Sequence, residues 1–341
     1  MYKVILKNKW KNFSGQNPAA ICENPDDLVA FAKEQQELGN FIVGAISYES
    51  EVIAMSFEKS EEFQLQNCST EKIQFSPTTS KTEYNKAFSK VKNHIEAGDI
   101  YQMNLTYQLQ AESKLSGMEL FQRVMAKNSV DYLAYIVTPN FELICASPEN
   151  FINIRGREIE TSPIKGTRPR GENEQEDKEQ IADLLSSEKE AAELNMITDL
   201  LRNDLGKVAK TGTVKLQEHR ALSKCPTVWH TYSRITAELK KETHPLEALL
   251  SMFPGGSITG CPKKRARQII TEVEVEKRDF YTGCIFTLEA NGDLDSSIII
   301  RTIVKRGNKL SLGVGGGIVY DSKVEDEYKE TLEKAKSFMN L

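Results

Sequence analysis

Four strand-like runs between residues 133 and 164 constrain the fold of this chain more than any other feature. Leu133–Val137, Phe141–Ala146, Phe151–Ile154 and Glu158–Ile164 are short and rich in apolar and β-branched residues, with only three or four residues between one and the next. A parallel pair of strands needs a crossover of about a dozen residues or more, whereas antiparallel neighbours close through a tight turn. Ile100–Leu109 precedes these runs, and Trp229–Leu239, Phe280–Glu289, Ser296–Lys305 and Lys309–Val314 follow, without a regular strand–helix–strand beat. The pattern predicts an α+β fold, antiparallel sheets with helices outside.

Local signals place the helices. Asn24-Pro25-Asp26-Asp27 opens a helix to about Leu38, and Phe41–Tyr48 reads as a buried strand. Tyr84, Phe88, Val91 and Ile95 share one face of a helix over about 82–97 that Gly98 stops. Residues 174–204 read as one long helix and 324–339 as the last. This gives a short α/β region at 1–80, with the polar stretch 58–81 as its link, ahead of a larger unit at 81–341. A chain of 341 residues can bury a large core.

A net charge of −5 gives no electrostatic reason to expect nucleic acid. No run approaches the roughly 18 apolar residues of a membrane span, and Met1–Lys7 lacks the apolar core of a signal peptide. The cysteines, Cys22, Cys68, Cys145, Cys225, Cys261 and Cys284, form no C-x-x-C pair and read as reduced thiols of a cytoplasmic protein.

The chemistry concentrates in Pro163-Ile164-Lys165-Gly166-Thr167-Arg168-Pro169-Arg170, a turn-prone segment holding an amine, a hydroxyl and two anion-binding side chains. An amine buried near other cations loses proton affinity and becomes nucleophilic; a solvated basic loop is the alternative. Glu190 and Glu193 stand at i and i+3 on one helix, and Glu327 and Glu330 repeat the spacing on another. Two such faces across a cleft suit Mg2+, which takes carboxylate oxygens and keeps waters or substrate oxygens. Surface ion pairs, Lys189 with Glu193 and Glu330 with Lys334, are the other reading. Arg301 interrupts the apolar run Ile298–Thr302 and needs an anion, from substrate or from protein. Gly255–Lys263 has the glycine spacing of a P-loop, but Cys261 and Pro262 replace the required Lys and Ser/Thr, and Gly313–Gly317 leads into no helix at the glycines. His230 lies in a strand-like apolar run, where a satisfied core histidine is the plain alternative to a catalytic one.

From about Thr82 to the C-terminus these motifs, in this order, resemble those of the chorismate-utilising enzymes. That family includes the component I chains of aminodeoxychorismate synthase and anthranilate synthase, and the isochorismate and salicylate synthases. The resemblance implies two antiparallel sheets packed face to face, flanked by helices, around one central cleft. It implies Mg2+ on Glu193 and Glu330, with Glu190 and Glu327 in support, and chorismate as substrate. Arg301 would grip a substrate carboxylate with Tyr281 and Lys334 nearby. Gly256, Ser257 and Gly260 in one loop, and Gly315, Gly316 and Gly317 in the other, would bind substrate through the backbone. By the same resemblance Lys165, Thr167 and His230 would form the catalytic set, with His230 near the departing C4 hydroxyl.

Two positions separate the branches of the family. Aminodeoxychorismate synthases typically carry lysine at the place of Lys165, and anthranilate synthases alanine. The water-using isochorismate and salicylate synthases carry lysine where this chain has Gln102, an amide that cannot act as a base near neutral pH. The implied activity is amination of chorismate to 4-amino-4-deoxychorismate, toward p-aminobenzoate and folate. Ammonia would come from a separate glutamine amidotransferase subunit. Anthranilate formation is the nearest alternative, then isochorismate formation.

Overall fold

A computed structural model describes residues 1–10, 12–62, 71–225, 228–339 and 341. Cys68 and part of the polar link 58–81 lie outside the described residues; the other five cysteines are free thiols.

Two large sheets form the frame, and every strand pairing among the described residues is antiparallel. The first runs Gly260–Cys261, Gln102–Glu112, Lys309–Ile318, Thr302–Arg306, Glu142–Ser147, Tyr132–Val137, Lys3–Asn8 and Ser14–Gln16. The second runs Ile164–Pro169, Val228–Glu238, Glu158–Thr161, Asn150–Arg155, Leu294–Ile298, Cys284–Leu288, Phe41–Ile46, Val52–Phe57 and Ala20–Cys22, with Lys215–Lys224 also on Val228–Glu238. Strands from the first 60 residues thus enter both sheets.

The sheets face each other across a shared core. Val4, Leu6, Tyr132 and Ile136 of the first meet Val43, Met55 and Ile285 of the second. The helices, in chain order, are α1 (Leu28–Glu37), α2 (Lys81–Glu96), α3 (Gly117–Lys127), α4 (Glu174–Ser186), α5 (Glu188–Val208), α6 (Pro245–Met252), α7 (Lys263–Val273) and α8 (Val324–Met339). Helices α2, α3, α7 and α8 bury the outer face of the first sheet, and α1, α5 and α6 that of the second. The α2 stripe is the expected one, and Ser80 with Glu83 closes a capping box at its start.

Three expectations give way to tertiary detail. The helix predicted over 174–204 is two helices. Ser187 is extended and its side chain accepts from the Glu190 N–H, so α5 begins afresh with its own cap. The strand predicted over Ser296–Lys305 is also two, Leu294–Ile298 in the second sheet and Thr302–Arg306 in the first. The segment predicted as a turn, Pro163–Arg170, contains the strand Ile164–Pro169, with a bulge between Lys165 and Thr167. Gly166 makes the bulge with φ +83°, a conformation that suits glycine.

Candidate active site

The two chain crossings between sheets lie side by side. One runs from Ser147 to Asn150 and the other from Ile298 to Thr302; the Ala146 N–H donates to Arg301 O at 3.0 Å and the Ile298 N–H to Glu149 O at 3.1 Å. These crossings carry Glu149 and Arg301 into a cavity of about 720 Å³. Its other walls are Ile164–Arg168, the glycine-rich end of Lys309–Ile318, the first turns of α5, and α8.

Arg301 has φ +50°, a backbone region costly for a residue with a side chain. Burial holds its guanidinium below the usual arginine range, and the charge of Glu149 only partly offsets this. Among the described residues no carboxylate lies within ion-pair distance of it, which excludes the structural ion pair as its reason for being there. Sequence patterning missed Glu149 and Asn104. Both line the cavity, and Glu149 accepts a 2.6 Å hydrogen bond from the Ser257 hydroxyl. The signal for Glu149 was the strand break itself, invisible without pairing partners, whereas Asn104 lies inside the strand Gln102–Glu112. Tyr281 lines the same wall, with its ring against Gly313, where a Cβ would lie 2.1 Å from the ring. Burial pushes its hydroxyl pKa up.

Lys165 lines the cavity, and among the described residues its ammonium has no ion-pair partner. Its charge nonetheless helps to hold Glu330 down. Thr167 also lines the cavity, and its Oγ1 lies 2.8 Å from His230 Nδ1. Gly166 O, an acceptor only, is 3.4 Å from the same nitrogen, which favours Nδ1–H. That proton then goes to Thr167 Oγ1, and the threonine O–H remains free to donate into the cavity. His230 therefore reaches the cavity through Thr167. Burial depresses its pKa, the Gly166 carbonyl opposes this, and the charge of Arg301 adds to it.

The two arginines of the motif are not free anion binders. Arg168 pairs with Asp183 and, at 3.0 Å, with Glu190. Arg170 pairs with Asp177 at 2.5 Å and lies over the Trp229 ring. Carboxylates from α4 and α5 neutralise both, so neither is free to hold substrate.

Glu190, Glu193, Glu327 and Glu330 all line the cavity, on α5 and α8. Glu330 pairs with Lys334 at 2.7 Å, the predicted i,i+4 pair, while Lys189 lies 4.0 Å from Glu327 rather than on Glu193. Burial raises Glu330, but Lys334, Lys189 and Lys165 together outweigh it and leave it below the usual range. Burial pushes Glu327 up, with Glu330 acting in the same sense. An all-oxygen donor set suits a hard divalent cation. Glu190 Oε2 is buried without a hydrogen-bond partner, an arrangement that a cation would relieve. As they stand, no three acidic, His or Cys side chains among the described residues converge to hold one ion. The donor chemistry fits Mg2+ once the flanking cations give way.

The glycines divide. Gly315 and Gly317 line the cavity; beyond Leu312 their strand is paired on one edge only, with Met103–Gln108. Gly316 faces Glu327, whose Oε2 would be 3.3 Å from a Cβ there. Ser257 lines the cavity, but Gly256 packs on Leu200, and Gly260, at φ +151°, pairs with Met103. Gly256, Gly260 and Gly316 thus pack closely beside the site. Gln102 is buried against Gly317 rather than exposed to the cavity.

Residues 5–340 match the family described as chorismate binding enzyme. The chain belongs to this family. Among curated proteins, aminodeoxychorismate synthase component 1 of Bacillus subtilis is 38% identical over 252 residues, 74% of this chain and 54% of its own length. Anthranilate synthase component 1 of Bacillus pumilus is 38% identical over 262 residues, 77% of this chain and 51% of its own. The chain spans about half the length of the curated relatives it matches. Among solved structures, a chorismate-family neighbour, putative 2,3-dihydroxybenzoate-specific isochorismate synthase of Bacillus anthracis, superposes with a TM-score of 0.85 at 25% identity, covering 99% of this chain and 95% of its own. Anthranilate synthase component I of Streptococcus pneumoniae gives 0.86 at 24% identity, covering 99% and 92%. No helix among the described residues is long and apolar enough to cross a membrane.

Proposed function

We propose that this chain aminates chorismate to 4-amino-4-deoxychorismate, with Lys165 as covalent nucleophile. The observation that carries the reading is the unpaired ammonium of Lys165 in the same cavity as the unpaired guanidinium of Arg301. Relatives of equal identity bear both the aminodeoxychorismate and the anthranilate synthase names; the lysine favours the first.

Chorismate brings two carboxylates to a cavity with unneutralised cations. Arg301 binds one of them, and open-edge backbone at Gly315 and Gly317 lies beside it. The Lys165 ammonium gives a proton to a cavity carboxylate, its Nζ bonds to ring C2, the two ring double bonds shift toward C4, and the C4–O bond breaks. The departing oxygen takes a proton and leaves as water. Thr167 and Glu149 are the cavity groups placed to carry that proton, with His230 orienting the threonine. Ammonia then bonds to C4 as the C2–Nζ bond breaks, returning the electron pair to Lys165. Glu190, Glu193, Glu327 and Glu330 would hold Mg2+, whose charge would stabilise the ring carboxylate. Ammonia would come from a glutamine amidotransferase subunit, in keeping with the designation component 1 of the relatives.

The test is to incubate the protein with chorismate, Mg2+ and an ammonium salt and to identify the product by mass. Aminodeoxychorismate is the expected product. Anthranilate with pyruvate would move the chain to the tryptophan branch, and isochorismate would remove amination altogether.

A further inference from the structure

Glu327 is 5% exposed, and its two carboxylate oxygens meet different surroundings. Oε1 accepts a 2.6 Å hydrogen bond from the Ser322 hydroxyl, and Lys189 Nζ approaches the same oxygen at 4.0 Å. Oε2 has no hydrogen-bond or ion-pair partner among the described residues. It lies against Gly316, where a Cβ would stand 3.3 Å away. The side chain lines the catalytic cavity, so the oxygen left for a ligand is Oε2.

Ser322 does not cap α8. Its Oγ accepts from the Val319 N–H at 3.1 Å, which precedes it in the chain, and no N–H of the first turn of α8 donates to it. The one proton of the hydroxyl is committed to Glu327. The Ser322 N–H returns to Val319 O at 3.1 Å, which ties the serine to the residue after strand Lys309–Ile318. Gly316 lies in that strand, paired with Leu105. Lys92 of α2 donates to Tyr320 O, and its ammonium lies 4.8 Å from the Tyr320 ring, so the turn is fixed from outside as well. Both flanks of the carboxylate, Ser322 at Oε1 and Gly316 at Oε2, thus belong to one anchored segment.

The oxygens a carboxylate offers decide which cation it suits. Ca2+ takes both oxygens of one carboxylate into a long, flexible shell. Mg2+ demands near-ideal octahedral geometry at shorter distances, which the narrow bite of one carboxylate distorts. A carboxylate with one oxygen occupied by a hydrogen bond favours the smaller ion.

We propose that Ser322 and Gly316 are positioning residues that present Glu327 to the cation through Oε2 alone, and that this selects Mg2+ over Ca2+. The role rests on the Mg2+ site of the proposed function, and Glu327→Gln tests that site by itself. Mg2+ and Ca2+ are titrated separately by calorimetry into the whole chain, with chorismate present and ammonia absent. Wild type should bind Mg2+ more tightly than Ca2+, and Glu327→Gln should weaken Mg2+ about tenfold or more. Ser322→Ala, which frees Oε1, should also weaken Mg2+ about tenfold or more, but Ca2+ by less than about threefold. Gly316→Ala should shift the two affinities in the same sense, because Gly316 is outside the left-handed region and a Cβ there meets nothing but Oε2 within 4 Å. Unchanged Mg2+ binding in Glu327→Gln refutes the metal site and this role with it. If Glu327→Gln weakens Mg2+ while Ser322→Ala and Gly316→Ala keep it within about threefold, the metal site stands and the positioning role is refuted. Equal losses of Mg2+ and Ca2+ in Ser322→Ala, or a wild type that prefers Ca2+, refute the selection. Should Ser322→Ala fail to fold, Gly316→Ala decides on the same criteria.

Discussion

Replacing Arg301 by alanine separates substrate binding from architecture, because the two roles predict opposite effects on stability. The guanidinium is mostly buried, has no carboxylate within ion-pair distance among the described residues, and sits on a backbone with φ +50°. A structural ion pair would be lost on truncation and the protein would unfold more easily. Here no such pair exists, and removal of an uncompensated partly buried charge should leave Tm within about 2 °C of wild type. Chorismate binding should suffer instead. Truncating one partner of a buried charge pair costs about 2–5 kcal/mol. The cavity is open enough to water that the lower part of that range applies, about 2–3 kcal/mol, or roughly 30- to 150-fold in Kd. Calorimetric titration of chorismate with Mg2+ present measures the Kd, and thermal unfolding measures the other half. A Kd within threefold of wild type, together with a Tm several degrees lower, would refute the reasoning and make Arg301 a framework residue.

Lys165→Ala should keep the fold and chorismate binding but lose ammonia-dependent product, and trapping on the native protein should find a chorismate-derived mass on the peptide containing Lys165; a variant as fast as wild type would remove the nucleophile. Glu193→Gln and Glu330→Gln should each weaken Mg2+ binding at least tenfold, by calorimetry with chorismate present, since each removes a formal charge from a site with few protein ligands; unchanged affinity would leave these glutamates as partners for lysines. Gly166→Ala should destabilise by about 1–2 kcal/mol from its backbone conformation alone, and more because its Cβ would lie 2.8 Å from Leu184 Cδ1; denaturant unfolding checks this. His230 is depressed in the folded state, so the unfolded chain binds more protons below its own histidine pKa. Its contribution is complete above about pH 6.5 and declines as pH falls. The loss of stability between pH 7.5 and 5.5 should be smaller in His230→Gln than in wild type.

The sequence alone determined what is local. Turns too short for crossovers required antiparallel neighbours, the α2 stripe and its capping serine set that helix, and the order of the motifs from Thr82 onward pointed to the chorismate-binding family. Tertiary structure decided what depends on neighbours distant along the chain. Arg168 reads as an anion binder until folding brings Asp183 and Glu190 against it. Ile298–Thr302 reads as continuous strand because apolar runs look alike whether they stay in one sheet or cross between two. Only the packed sheets reveal the crossing that bends Arg301 into the cavity beside Glu149. Periodicity and turn length act over a few residues and can be read in order; charge neutralisation and sheet switching are set by distances that exist only after the chain has packed.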